Sequence, residues 1–193
     1  MSDDRQRWEA RYAHAHGAGR EAPSEFVVMH ADRLRGRILD IAAGAGRNAL
    51  FLARRGNLVE AIDISLAGLR LAQAAARAEG LRLTAVQADL ESFPLPVERY
   101  DAVINIRYLQ RSLFAPMQRA LKPGGMILVE TFLIDQQRIG HPRNPDFLLQ
   151  RGELRAAFSH FELLVYEEGL LPSAPQPAYL ARLLARRPPH RVD

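Results

Sequence analysis

The sequence predicts an α/β chain, an open and mostly parallel sheet with helices on both faces. Three observations carry this. From Arg37 onward, short apolar strand-like runs alternate with segments of helical periodicity. Two of the helical segments end on a glycine, Gly56 and Gly80, as helices often do. At 193 residues, 48% hydrophobic and 25% charged, the chain has the bulk of one globular domain with a substantial core. One domain over 1–193 is expected: a helical segment at 1–35, a core at 36–187 and a tail at 188–193.

The elements follow in order. Residues 3–16 read as a helix with Trp8 and Tyr12 on one face, and Gly17 and Gly19 end it. Pro23-Ser24 starts a second helix running to about Leu34. Strand 37–43 leads into helix 46–55, and strand 58–64 leads into helix 65–79, with Ser65 as its N-cap. Strand 82–88 precedes a proline-bearing turn at 93–96. Strand 100–106 and a helix over about 111–121 follow. Lys122-Pro123-Gly124-Gly125 reads as a tight turn before strand 126–132. Residues 134–150 show no periodicity, and a loop of that length is usually functional or disordered. A short helix near 151–158 and strands near 161–168 and 178–186 complete the chain.

Composition excludes several classes. There is no cysteine, so disulfides, thiolate metal sites and cysteine nucleophiles are ruled out. His14-x-His16 is too sparse for a metal site, and no metal is expected. The polar, acidic start is no signal peptide, and no apolar run reaches the ~20 residues of a membrane span, so a cytoplasmic protein is expected. The net charge of +4 invites a nucleic-acid reading. The arginines are spread along the chain, however, and only Arg182–Arg191 is dense, which argues against a basic binding face without excluding one.

Function is most legible at the carboxyl ends of the strands, where such sheets bind ligands. Ile38 to Asn48 reads as strand, small-residue turn and helix start, an arrangement that brings backbone N–H groups to a nucleotide-like ligand. The pieces are Ala42, Gly44, Gly46, Arg47 and Asn48. Asp40 precedes them. A carboxylate there repels a diphosphate and suits a cation, such as the ammonium and sulfonium groups of S-adenosylmethionine. Asp63, nineteen residues beyond Gly44, ends the second strand with Ile64 beside it, at the distance where an acid accepts hydrogen bonds from both ribose hydroxyls. Its competing role is a helix cap. Asp89 ends the third strand, placed to accept from an adenine amino group while Leu90 packs on the ring; an Asx turn is the alternative there. Asn105, Arg107 and Tyr108 end the fourth and would face the transferring group.

Taken together, Leu39-Asp40-Ile41-Ala42-Ala43-Gly44-Ala45-Gly46, Asp63, Ala88-Asp89-Leu90, Tyr100–Ile104 and Leu121–Gly125 resemble a class I S-adenosylmethionine-dependent methyltransferase. The resemblance implies a Rossmann-like, seven-stranded sheet in order 3-2-1-4-5-7-6, with strand 7, about Tyr179 to Ala185, antiparallel. It implies S-adenosylmethionine as cofactor and S-adenosylhomocysteine as product. Ala42 stands where the family commonly has glycine, a minor change if its φ is negative. Trp8-Glu9-Ala10-Arg11-Tyr12 with Pro23-Ser24 is similar to small bacterial methyltransferases of the tellurite-resistance and thiopurine type, which carry an N-terminal lid.

Methyl transfer is an in-line displacement in which the protein mainly aligns the nucleophile and excludes water. Asn105-Ile106-Arg107-Tyr108 has the N-x-x-Y spacing of amino-group methyltransferases but lacks their two prolines, and Arg107 suits an anion. Arg107 and Tyr108 are the expected substrate-aligning pair. Trp8, Arg11, Tyr12, Arg138, His141 and Arg143 are expected to line the acceptor's side. The acceptor expected is a small anionic or thiol-like molecule, handled by a monomer or homodimer without a membrane partner. The alternatives are an RNA or protein methyltransferase and, in another class, a nicotinamide-dependent oxidoreductase or a non-catalytic nucleotide-binding protein.

Overall fold

A computed structural model describes residues 3–13, 21–173 and 175–189. His14, His16, Gly17, Gly19 and Arg191 lie outside the described residues. Seven strands form one sheet in the order β3-β2-β1-β4-β5-β7-β6. They are β1 (Arg37–Ile41), β2 (Leu58–Asp63), β3 (Leu83–Gln87), β4 (Tyr100–Ile106), β5 (Leu121–Phe132), β6 (Glu162–Leu171) and β7 (Ala178–Arg186). β7 is antiparallel to both β5 and β6, whereas the pairs β1–β2, β2–β3 and β4–β5 are parallel. The expected order and the lone antiparallel insertion are both present.

The chain divides into two compact units, Met1–Pro94 and Leu95–Asp193. In the first, β1 and β2 are buried almost throughout because both sheet faces are covered. Helices α3 (Arg47–Arg54) and α4 (Leu66–Ala78) present their apolar stripes to these strands. Ile38, Leu39, Ile41, Leu50, Leu52 and Ile62 form the centre of the core, all essentially without solvent contact. α2 (Glu25–His30) starts as expected, with the Ser24 hydroxyl accepting from Phe26 N–H, but ends early. Its last turn tightens into a 3₁₀ turn at Ala31–Arg33. α1 (Asp3–Ala13) packs on α4.

In the second unit, α5 (Phe114–Ala120) and α6 (Glu153–Ala157) accompany the strands, and Phe158 stacks edge-on between Phe114 and Phe161. Two expectations are corrected here. Lys122–Gly125 does not separate helix from strand. It is an irregularity inside β5, where the β4 register jumps from Tyr100↔Leu121 to Ala102↔Met126. The Gly124 N–H is bound by the Arg187 carbonyl, which holds the insertion against the end of β7. The stretch 134–150 is also no featureless loop. It holds 3₁₀ turns at Ile134–Arg138 and Pro145–Phe147 and bridges Leu133 to Leu149. One organiser, Arg111, is distant in sequence, and another, Gln136, lies within the stretch itself. Arg111 donates to the carbonyls of Asp146 (3.1 Å) and Leu148 (2.8 Å) while forking onto Glu153. Gln136 accepts from Tyr179 N–H and donates to the His141 carbonyl.

The turn after β1 contradicts the condition placed on Ala42. Its φ is +52°, in the left-handed region. A Cβ there meets the following carbonyl, at ~1–2 kcal/mol, so the family's glycine has a direct steric reason. Ala42→Gly is expected to be neutral or to stabilise by up to about 1 kcal/mol, because relief of strain outweighs the added chain entropy. Ala42→Val should cost more than about 2 kcal/mol, since a β-branched residue fits this region worst. Urea melts of the two variants check this: a stable valine variant would mean the turn is not held left-handed.

A carboxylate cradle and an arginine–glutamate cluster

In the first unit, the segment after β1 bends back along the end of β2. Ala43 N–H donates to the Ile62 carbonyl at 3.0 Å, and Gly44 N–H donates to Asp63 Oδ2 at 2.7 Å. Asp63 Oδ1 accepts from Ser65 N–H at 2.8 Å. Asp63 therefore does not cap α4; that is done by Ser65, whose hydroxyl accepts from Gly68 N–H. Asp63 holds the glycine turn to β2. Burial pushes its carboxyl above the ordinary range even though these N–H groups favour the anion.

Asp40 is 1% exposed. The nearby Ala49 N–H, one of the free donors in the first turn of α3, favours its anion, yet Oδ2 has no hydrogen-bond partner among the described residues. Burial is the largest influence on this acid and lifts it to about 8; Arg47 works against that lift and Asp63 adds to it. A buried carboxylate oxygen without a donor is costly and asks for a cation. The unpartnered Asp40 Oδ2 thus fits the ammonium end of S-adenosylmethionine. Ile64 lies half-buried beside Asp63.

Gly44, Gly46, Arg47 and Asn48 fall on the turn after β1 and the start of α3, whereas Asp89 and Leu90 follow β3 and Asn105 lies in β4. Gly44 and Gly46 both have positive φ, +56° and +80°. A Cβ on Gly44 would overlap the Tyr12 hydroxyl, and one on Gly46 would lie 2.6 Å from the Ala72 Cβ of α4. Gly46 therefore serves helix packing, so a valine there would disrupt α3 against α4 rather than simply exclude a ligand. Asn48 Oδ1 accepts from Ser24 N–H at 2.9 Å, tying α2 to α3. Asp89 Oδ1 accepts from Glu91 N–H in an Asx turn, and Leu90 is buried beside it.

Tyr12, expected on the acceptor's side, lies against the glycine turn. Its ring stacks with Trp8 at 6.0 Å between centroids. Burial raises its phenol, and the Asp63 charge adds to that. Arg11 lies over the Trp8 ring at 5.3 Å. Sequence reasoning missed Glu9, whose carboxylate accepts from the Ser65 hydroxyl (2.8 Å) and from Ala67 N–H (3.1 Å). The bond to Ala67 holds its carboxyl below the usual range.

In the second unit, Arg107 is not a lone cation. It has φ +62°, and its Nε donates to Glu130 Oε1 at 3.1 Å. It also donates to the Ser173 hydroxyl at 2.6 Å and lies 4.4 Å above the Phe132 ring. Arg182 Nε donates to Glu130 Oε2 at 2.6 Å. Two arginines thus share one carboxylate that is 2% exposed, and the half-exposed Glu167 stands 4.0 Å from Arg182, so two arginines face two carboxylates. Arg182, assigned by the sequence to a basic tail, is an interior residue of β7. Asn105 is 1% exposed; its Nδ2 faces the Met117 sulfur at 3.8 Å, and its Oδ1 has no hydrogen-bond partner among the described residues. Tyr108 donates to Gln110 at 2.6 Å. Arg138 and Arg151 share Asp135, while His141 and Arg143 are exposed. Among the described residues no three His, Asp or Glu side chains are gathered as a metal site, and no helix is long and apolar enough to cross a membrane.

Residues 38–125 match the family model described as a methyltransferase domain. The chain is 40% identical over 118 residues to the ubiquinone/menaquinone biosynthesis C-methyltransferase UbiE of Syntrophotalea carbinolica, covering 57% of this chain and 46% of that protein. The chain spans about half the length of the curated relatives it matches. Among solved structures, TehB from Haemophilus influenzae is similar with TM-score 0.72 and 22% identity, over 84% of this chain and 61% of that one. The geranyl diphosphate C-methyltransferase from Streptomyces coelicolor, solved with Mg²⁺, geranyl-S-thiolodiphosphate and S-adenosylhomocysteine, is similar with TM-score 0.69 and 18% identity, over 84% of this chain and 74% of that one. At these identities the two structures bear on the fold alone.

Proposed function

We propose that the chain is a class I, S-adenosylmethionine-dependent methyltransferase that transfers a methyl group to a small anionic or thiol-like acceptor; the match of residues 38–125 to a methyltransferase domain supports this. The bound cofactor supplies a methyl group already activated by its sulfonium. The chain's own residues bind and align. Asp40 meets the ammonium, Asp63 the ribose hydroxyls and Asp89 the adenine amino group, with Ile64 and Leu90 against the ring. Arg107, Tyr108 and the arginine-bearing stretch after β5 align the acceptor and keep water away.

The observation that supports an anionic acceptor is Arg107, a cation placed directly after β4. Glu130 and the Ser173 hydroxyl fix its guanidinium, whose charge favours a nearby oxyanion. One relative, named for ubiquinone/menaquinone biosynthesis, is in keeping with a small-molecule acceptor.

Labelled methyl transfer to a panel of thiols, small carboxylates, oxyanions, protein and total RNA tests this. Labelling of a small anion or thiol is expected, and Arg107→Ala should lower turnover on it while leaving S-adenosylhomocysteine affinity nearly unchanged. Labelling of RNA or protein alone would transfer the assignment to the macromolecular alternative.

A further inference from the structure

We propose that Glu9 is a positioning residue for the cofactor, anchoring α1 on the first turn of α4 so that Tyr12 forms a wall of the glycine-turn cradle. This rests on the reading of that turn as the cofactor site. α4 already has its own cap in Ser65. Glu9, 58 residues away in sequence, adds a second acceptor for the same helix end, on Ala67 N–H. It also takes the Ser65 hydroxyl hydrogen, which orients that hydroxyl's remaining lone pairs toward Gly68 N–H. An anion at a helix N-terminus is favoured by the free N–H groups and by the helix dipole.

Tyr12 lies three residues further along α1, hence on the same face as Glu9. The two side chains land on consecutive features. Glu9 meets the first turn of α4, and Tyr12 meets the place where α4 touches the glycine turn. Gly68 makes this possible: a Cβ on it would stand 3.0 Å from the Gly44 carbonyl and 3.0 Å from the Tyr12 ring. Bare of side chain, it lets turn, helix and tyrosine converge beside Asp63. Glu9 fixes where α1 sits; Tyr12 is the part that reaches the cradle.

The test uses the full chain and S-adenosylhomocysteine as probe. Trp8 is the chain's one tryptophan and stacks on Tyr12, so its fluorescence reports on α1 during binding. Glu9→Ala and Tyr12→Ala are each expected to weaken binding about tenfold, chiefly through faster dissociation. The double variant should be no weaker than Tyr12→Ala alone, because Glu9 acts through Tyr12. Glu9→Gln, which keeps an acceptor for Ala67 N–H, should recover part of the loss. Additive losses, or wild-type affinity in both single variants, would overturn the proposal while leaving the cofactor reading intact. If the wild-type chain does not bind the probe, the cofactor reading fails and this proposal with it.

Discussion

Replacing Asp63 by alanine is expected to abolish measurable S-adenosylhomocysteine binding. Two charge-assisted hydrogen bonds to the ribose are lost, each worth ~1.5–3 kcal/mol, or together about 10²–10⁴-fold in affinity. A second loss compounds the first. Asp63 Oδ2 accepts from Gly44 N–H and Oδ1 from Ser65 N–H, so the alanine variant also frees the glycine turn from β2. The two parts separate with Asp63→Asn. One amide oxygen can keep the Gly44 bond, while the charge and one acceptor disappear. Its apo melting temperature should fall less than that of Asp63→Ala, since only the Ser65 N–H loses its acceptor, and affinity should still drop severely. Calorimetry together with thermal melts decides; full affinity in Asp63→Asn would reduce Asp63 to a structural tie.

This double duty shows where sequence reading stops. Asp63 was legible because strand, turn and acid are local patterns with fixed spacing. Its bond to the Gly44 N–H was not read from the sequence, because it joins a turn to the end of the neighbouring parallel strand. Glu9 was not legible: nothing near it in sequence indicates that its carboxylate meets a helix start 58 residues on. Arg107 was read as a lone cation because its partner Glu130 comes from the next strand and Arg182 from a strand antiparallel to that one. The segment 134–150 looked structureless because its hydrogen bonds come from Arg111, Gln136 and Tyr179 rather than from its own periodicity. Helix and strand positions were accessible from propensity and alternation. Side chains that bond across elements were not.

Asp40 makes the remaining prediction, in which proton release accompanies cofactor binding. In the free chain burial lifts this acid to about 8 from an ordinary value of 3.8, so at pH 7 it holds its proton. An ammonium group brought against Oδ2 favours the carboxylate and expels that proton. Binding measured at pH 7 in buffers of different ionisation enthalpy should therefore release about one proton per chain. Affinity should rise about tenfold per pH unit toward pH 8. Above that it should fall again, as an α-amino group of pKa ~8 loses its own proton. Stability of the free chain runs the other way. The folded state binds more protons than the unfolded state between the unfolded value near 3.8 and the folded value near 8. Asp40's contribution is thus greatest below the lower value and is lost as pH rises through the upper one. Asp40→Asn removes both dependences: proton release should vanish, the affinity profile should flatten on its acid side, and the apo chain should resist alkaline pH better than wild type. Wild-type binding that releases no proton at pH 7, with a flat profile from pH 6 to 8, would show that the ligand's cation does not meet this carboxylate.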